Sequence, residues 1–323
     1  MSASDPQGLI VVVTGGAGFI GANLVKRLLR EPGIGGIRIF DDFSTGTNRE
    51  FGDPRVEVFE GDLRDATRVD EVVRGASRIV HLGALPSVPR SIADPRSSID
   101  VNIVGTLNVL EAGRAHEIEH VVVASSSSVY GANPILPKAE SLATRPLSPY
   151  AVSKLGTEAL ANAYFHSFGL PTLAFRFFNV FGPLQRADHA YAAVIPKFLD
   201  AMKRSAPLTV FGDGTQSRDF TSVHLVVDAL AKVSMQKFVH ESPVNLAMGT
   251  RTTLNELIDL LRAIHPGQID VEYVEPRAGD VPHSQASSEL LTSLLPDLEA
   301  VAFEDSIREV YEWYFSARTS DPA

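Results

Sequence analysis

The run Leu9-Ile10-Val11-Val12-Val13-Thr14 is apolar and β-branched without alternation, and it breaks directly into Gly15-Gly16-Ala17-Gly18-Phe19-Ile20-Gly21. A strand apolar on both faces is covered on both faces, as in a parallel sheet. Glycine at such a break lets the backbone turn sharply and lets a pyrophosphate approach amide N–H groups at the start of a helix. A lone G-x-G-x-x-G is weak; closing a strand and opening the helical stretch Ala22–Arg30 gives it weight. Asp41 stands about 20 residues past Gly21, at the end of the second strand-like run. A carboxylate there accepts hydrogen bonds from both adenosine ribose hydroxyls and repels a 2′-phosphate, so the expected cofactor is NAD, not NADP. Asp41 also reads as an ordinary turn residue before Phe43-Ser44-Thr45-Gly46. Asp62, in Gly61-Asp62-Leu63, reads either as a turn residue or as a partner of the adenine amino group.

Further strand-like runs at 36–41, 56–60, 78–82 and 120–125 are separated by helix-length segments such as 99–115. That alternation implies βαβ units and an α/β fold built on a Rossmann-type, doubly wound parallel sheet. The pattern loosens after about Phe181. There Leu208–Phe211, Gly212-Asp213-Gly214 and Arg218–Thr221 resemble two short strands joined by an Asp-Gly turn. The expected division is a dinucleotide domain over 1–180, to which about 219–247 returns, and a smaller C-terminal α/β substrate lobe over 181–323 that closes with an amphipathic helix near Ser306–Phe315.

With no Cys among 323 residues, a disulfide framework, a thiolate nucleophile, an iron–sulfur cluster and a Cys-based zinc site are excluded. The formal net charge of −10, without a Lys/Arg block, argues against sequence-independent nucleic-acid binding. The first apolar run, Leu9–Val13, is far below the roughly 20 residues needed to span a bilayer. A soluble, cytoplasmic protein without a membrane partner is expected.

Ser148-Pro149-Tyr150-Ala151-Val152-Ser153-Lys154 reads as a helix start, with Ser148 at the N-cap and Pro149 at the first helical position. Tyr150 and Lys154 then share one face, a helical turn apart. A free phenol, with a pKa near about 10, is a poor base at neutral pH; a neighbouring ammonium and an oxidised nicotinamide lower that pKa. A helix face with a solvated lysine is the plain alternative. Upstream, Ser125-Ser126-Ser127-Ser128 closes a buried strand, where open α/β sheets place their ligands; it reads either as a solvated loop or as donors to a sugar oxygen. His116-Glu117-Ile118-Glu119-His120 matches H-E-x-x-H, a zinc motif when it lies on one continuous helix. Here the helical pattern ends at about His116 and His120 opens a strand, so no metal site is expected.

Taken together, Gly15–Gly21, Asp41, Ser126, Tyr150 and Lys154 resemble the extended short-chain dehydrogenase/reductase family, in its branch of NAD-dependent nucleotide-sugar epimerases and dehydratases. The resemblance runs from Val11 to about Glu312. It narrows towards 4-epimerases of UDP-N-acetylglucosamine, its uronic acid and UDP-glucose at His81–Ser91, Arg176–Pro183, Ala190–Lys197 and Arg277–Ser284. It implies that Tyr150 is the base, that Lys154 holds the nicotinamide ribose, and that Ser126 bonds the sugar O4, with Ser127, Ser128 and Ser87 lining the sugar. It places Gly15, Gly18, Phe19, Ile20, Gly21, Asp41, Asp42, Ser44, Gly46, Asp62, Leu63, Leu82, Gly83, Ala84 and Phe177 on the cofactor. Asn179, Ala193, Val194, Lys197, Arg218, Arg277 and Asp280 would hold the UDP portion, a guanidinium fork being suited to a diphosphate. A homodimer through the helix of Tyr150 and the helix near Val101–Ala115 is implied as well.

The sequence departs from that pattern at Phe177, where many relatives have Tyr, at Pro86, which replaces a Gly, and at Pro282, which replaces an Arg. Relatives that eliminate water or decarboxylate carry Asp or Glu inside the motif that here reads Ser126-Ser127-Ser128. The expected reaction is therefore 4-epimerisation of a UDP-hexose through a transient 4-keto sugar. UDP-GlcNAc/GalNAc, their uronic acids and UDP-Glc/Gal all remain open as substrates. A nucleotide-sugar dehydratase or decarboxylase, and a non-catalytic NAD-binding regulator, are the alternatives.

Overall fold

The β-branched runs of the first half form one sheet. In a computed structural model that describes residues 8–187, 192–276 and 282–316, seven strands lie in the order Val244–Leu246, Thr172–Phe177, His120–Ser126, Arg78–His81, Leu9–Thr14, Ile34–Asp41, Val56–Glu60. All pairs from Thr172–Phe177 to Val56–Glu60 are parallel. This is the Rossmann-type, doubly wound arrangement. Strand order reverses between Leu9–Thr14 and Arg78–His81, which opens a crevice at the strand ends. The central strands are buried on both faces: Val11, Val12, Val13, Ile79, Val80 and Val121 to Val123 have no exposed surface. Each such side chain contributes roughly 1.5–3 kcal/mol.

The helix Pro149–Phe168 starts as its residues dictate: Ser148 Oγ accepts from the Ala151 N–H at 3.1 Å, and Pro149 takes the first turn. The helical stretch 99–115 is less regular than its pattern suggests. A helix at Pro95–Ile99 runs into a π-helical turn at Asp100–Val104 and then into Gly105–Ala115. The buried Asn102 in that turn accepts from the Leu85 N–H at 2.7 Å and donates to Leu85 O at 3.1 Å and to Ser153 Oγ at 2.9 Å. A polar side chain thus ties the loop after one strand to the Tyr150 helix.

Two units divide the chain. The first runs to Asn133 and includes Ala143–Phe177 and Val227–Asn245; the second holds Pro134–Leu142, Phe178–Val226 and the chain from Leu246 on. Pattern alone does not separate the segment 134–142 from the first domain. In the second unit, the expected hairpin across the Asp-Gly turn does not form. Leu208–Phe211 pairs parallel with Val271–Val274, whereas Ser217–Arg218 pairs antiparallel with Thr252–Thr253. Gly212 and Gly214 both take positive φ, and Asp213 Oδ1 accepts from the Thr215 N–H at 2.9 Å, which turns the chain away. The Gly212 N–H goes instead to Val274 O at 2.8 Å. The core of this unit includes Phe181 and Phe220, with the partly buried Phe303 packed against it and stacked on Phe220 at 5.6 Å, and the closing helix is Phe303–Ser316.

Candidate active site

The first unit's cleft opens at the switch point. Gly15 has φ +67°, and a Cβ there would stand 2.7 Å from Gly83 N; at Gly21 it would stand 2.2 Å from Gly15 O. The loops after Leu9–Thr14 and Arg78–His81 therefore meet backbone to backbone. The helix Phe19–Leu28 begins at Gly18 with no side-chain cap, so its first-turn N–H groups face the cleft unshielded. A cradle that any side chain would fill, at a helix N-terminus, fits the pyrophosphate of a dinucleotide.

Gly15, Gly18 to Gly21, Asp41, Asp42, Ser44, Asp62, Leu63, Leu82 to Ala84, Tyr150, Lys154 and Phe177 line this one cleft. Gly46 lies outside its lining. It packs on the phosphate loop, where a Cβ would come within 2.6 Å of the Ala17 carbonyl carbon. Asp41 is buried; its Oδ2 accepts from the Ala17 N–H at 3.0 Å and its Oδ1 from the Phe43 N–H at 2.9 Å. Burial pushes its carboxyl above the usual range, and its remaining lone pairs suit ribose hydroxyls. Asp42 accepts from Ser44 N–H and Oγ at 2.9 and 2.6 Å. Asp62 is clasped by Arg64 at 2.5 Å, which holds its carboxyl below the usual range. Asn48 escaped the sequence reading. Its N–H and Nδ2 both donate to Ala17 O, at 3.2 and 2.9 Å, so the phosphate loop is gripped by Asp41 on one side and Asn48 on the other.

Groups from two elements, Ser126 from the strand His120–Ser126 and Tyr150 and Lys154 from the helix Pro149–Phe168, meet at the other end. Burial pushes the Tyr150 phenol up, and a hydrogen bond between its hydroxyl and Ser126 works against that push. Lys154 is almost wholly buried and donates from Nζ to Ala124 O at 2.9 Å; burial brings it down to about 8. It stays charged at neutral pH with donors to spare. Ser126 Oγ also accepts from the Ser128 N–H at 3.2 Å. Ser128 Oγ is buried with no hydrogen-bond partner among the described residues, an arrangement that a polar ligand would satisfy. The wall of the cleft itself carries Ala124 and Ser125 rather than Ser126 to Ser128. Ser87 has φ +98° and its Oγ caps the helix Val88–Ala93 through the Arg90 N–H at 3.3 Å. The carboxylates lining the cleft are Asp41, Asp42 and Asp62.

The H-E-x-x-H stretch bends at Glu117, φ +53°. His116 ends its helix and pairs with Asp70 at 2.7 Å, while His120 is in a strand with Nε2 on Phe238 O. Among the described residues, no group of His, Asp or Glu is set to hold a metal, and no helix is long and apolar enough to cross a membrane.

The second unit has its own pocket, of about 760 Å³, lined by Asn179, Ala193, Val194, Lys197 and Arg218. Arg277 and Asp280, with Ala190 and Tyr191, lie outside the described residues. Gln185 and Gln216, unnoticed in the sequence, line the pocket too. Gln185 Oε1 is buried without a partner among the described residues, its Nε2 held by Val180 O at 3.1 Å.

Comparison with known proteins agrees with this geometry. The chain is similar to the probable UDP-glucuronate 4-epimerase of Rhizobium meliloti, 32% identical with 94% of this chain and 96% of that protein covered. Its fold is similar to the UDP-N-acetylglucosamine 4-epimerase of Methanobrevibacter ruminantium, solved with UDP-N-acetylmuramic acid: TM-score 0.90, 35% identity, 96% of this chain and 99% of that one. It is also similar to the UDP-glucose 4-epimerase of Thermus thermophilus, solved with NAD: TM-score 0.85, 31% identity, 96% and 100% covered. Residues 11–247 match the model of the NAD dependent epimerase/dehydratase family. The chain belongs to that family, and its cofactor is NAD.

Proposed function

We propose that the protein is an NAD-dependent 4-epimerase of a UDP-hexose. The observation that carries this is the meeting of Tyr150 and Lys154, with Ser126 beside the phenol, in a cleft whose carboxylates are Asp41, Asp42 and Asp62. Bound NAD supplies the acceptor, and then the donor, of the two electrons and hydrogen at sugar C4. Tyr150 takes the 4-hydroxyl proton as C4 is oxidised, and the Lys154 ammonium stabilises the phenolate that does so. Ser126, bonded to the Tyr150 hydroxyl, orients it and offers a donor to O4. With hydroxyls in place of an acid at Ser126, Ser127 and Ser128, this motif offers no group to expel a leaving group from C5 or C6. The 4-keto sugar then rotates in the site, so that C4 is reduced on its opposite face as Tyr150 returns the proton to O4.

The roles of the remaining residues follow from the same reading. Gly15 and Gly18 to Gly21 hold the pyrophosphate, Asp41 the adenosine ribose, and Phe177 packs near the nicotinamide. Asn179, Ala193, Val194, Lys197, Arg218 and Gln185 hold the UDP portion, together with Arg277 and Asp280. The protein acts as a cytoplasmic homodimer, which cell fractionation and sedimentation test. Val104, Leu107 and Val152, exposed on the segment 100–115 and the Tyr150 helix, give the dimer its apolar face.

The test is to incubate the protein with UDP-GlcNAc, UDP-glucuronate and UDP-glucose and follow the sugars by NMR. The C4 epimer of at least one is expected. A keto, dehydrated or decarboxylated product accumulating in its place would overturn the reading.

A further inference from the structure

The Tyr150 helix holds one more buried charge, which the proposed reaction leaves unused. Glu158 lies a helical turn past Lys154 on the same face, and its side chain is 4% exposed. Arg176, 5% exposed, grips it with two prongs, Nε to Oε1 at 2.8 Å and an Nη to Oε2 at 2.9 Å. Ser125 Oγ donates to the same Oε1 at 2.5 Å and reaches the Lys154 carbonyl at 3.4 Å. Ser125 and Arg176 are partners across neighbouring strands, each one residue before Ser126 and Phe177. The guanidinium also covers the Tyr130 ring, 4.7 Å from its centroid. Stability alone does not call for such a pair, because replacing a buried ion pair with apolar residues is often neutral or stabilising.

We propose that Glu158 is a positioning residue for the reaction: anchored by Arg176 and Ser125 behind Lys154, its carboxylate keeps that lysine charged and directed at the cleft. This rests on the reading of Tyr150 as the base. The charged or titratable groups around Lys154 are Tyr150 and Glu158 on its own helix, His81 on Arg78–His81 and Arg176 on Thr172–Phe177. His81 is buried between Thr14 Oγ1 and Thr106 Oγ1, pushed down to about 3, and therefore neutral. Burial pulls Lys154 towards the neutral amine, and the Glu158 charge opposes it. A lysine titrating near the working pH is one whose charge a single neighbour decides.

The test uses the full chain loaded with NAD. In Glu158→Gln, the alkaline limb of kcat is expected to move about one unit towards lower pH. At pH 9 the rate then falls about tenfold, but at pH 6.5 less than about threefold. Glu158→Asp, which keeps the charge, leaves the limb within a few tenths of a unit. The double variant Glu158→Gln/Arg176→Gln leaves no stranded guanidinium, so a folded protein is available to test; having lost the Arg176 charge as well, it shifts in the same direction by less. Independently of turnover, the Lys154 midpoint read by NMR of carbon-labelled lysine drops by about a unit in Glu158→Gln and by less in the double variant. A uniform loss of rate with the limb and midpoint unmoved overturns the proposal. A Tyr150→Phe protein with full turnover would instead overturn the reading of the base, and leaves the NMR midpoint as the judge of Glu158.

Discussion

Gly15→Ala attacks the backbone contact between the two loops of the cleft. The residue has φ +67°, and its new Cβ would meet Gly83 N at 2.7 Å, Gly83 Cα at 2.8 Å and Leu82 C at 2.9 Å. The left-handed backbone costs an L-residue about 1–2 kcal/mol. The contacts are backbone atoms that cannot rotate aside, and overpacking of that kind costs about 1–3 kcal/mol more. Gly75 supplies the control: its φ is +73°, but nothing lies within 4 Å of a Cβ there. Gly75→Ala therefore carries the dihedral cost without the collision. Both variants are expected to melt earlier, Gly15→Ala by several degrees more. Only Gly15→Ala parts the two loops that hold the dinucleotide, and spending about 2 kcal/mol there weakens NAD binding about 30-fold. Calorimetric titration of NAD into the stripped proteins reads this directly. Equal melting temperatures and equal NAD affinities for the two variants would refute the reasoning.

Asn48→Ala removes the Nδ2 bond to Ala17 O and leaves the backbone one; NAD release, followed by fluorescence of the reduced cofactor, is expected to quicken about 3- to 10-fold, at about 1 kcal/mol for one hydrogen bond. Ser128→Ala deletes a buried hydroxyl that has no partner among the described residues; the melting temperature stays level or rises, while KM for the UDP-hexose increases. Lys154 must be protonated to support the Tyr150 phenolate, and burial sets it at about 8. The wild-type rate is therefore expected to fall as pH rises through that value, in stopped assays from pH 6 to 10.

Much of the cofactor side was legible because its signals are local. A β-branched run, a glycine break, a helix and Asp41 follow one another along the chain, and Ser148-Pro149 announces the Tyr150 helix through its own cap. Features fixed by pairing across the chain were not legible. Leu208–Phe211 chose Val271–Val274 as its partner, a register decided by the second unit's core rather than by the Asp-Gly turn beside it. The π-helical turn at Asp100–Val104 answers to Leu85 and Ser153, which Asn102 must reach at once. Asn48 has no motif of its own; its role follows only from where Ala17 lies. Glu158 has no motif of its own either; only its pairing with Arg176, on the strand Thr172–Phe177, sets it apart. Two of the expected UDP contacts, Arg277 and Asp280, stand outside the described residues.

The most direct measurement uses a UDP-hexose deuterated at C4. Epimer formation with the deuterium kept at C4, slowed by a primary isotope effect and reduced at least a hundredfold in Tyr150→Phe, is the expected result. Loss of the label to solvent, or an undiminished rate without the Tyr150 hydroxyl, would contradict a phenol working beside a bound dinucleotide.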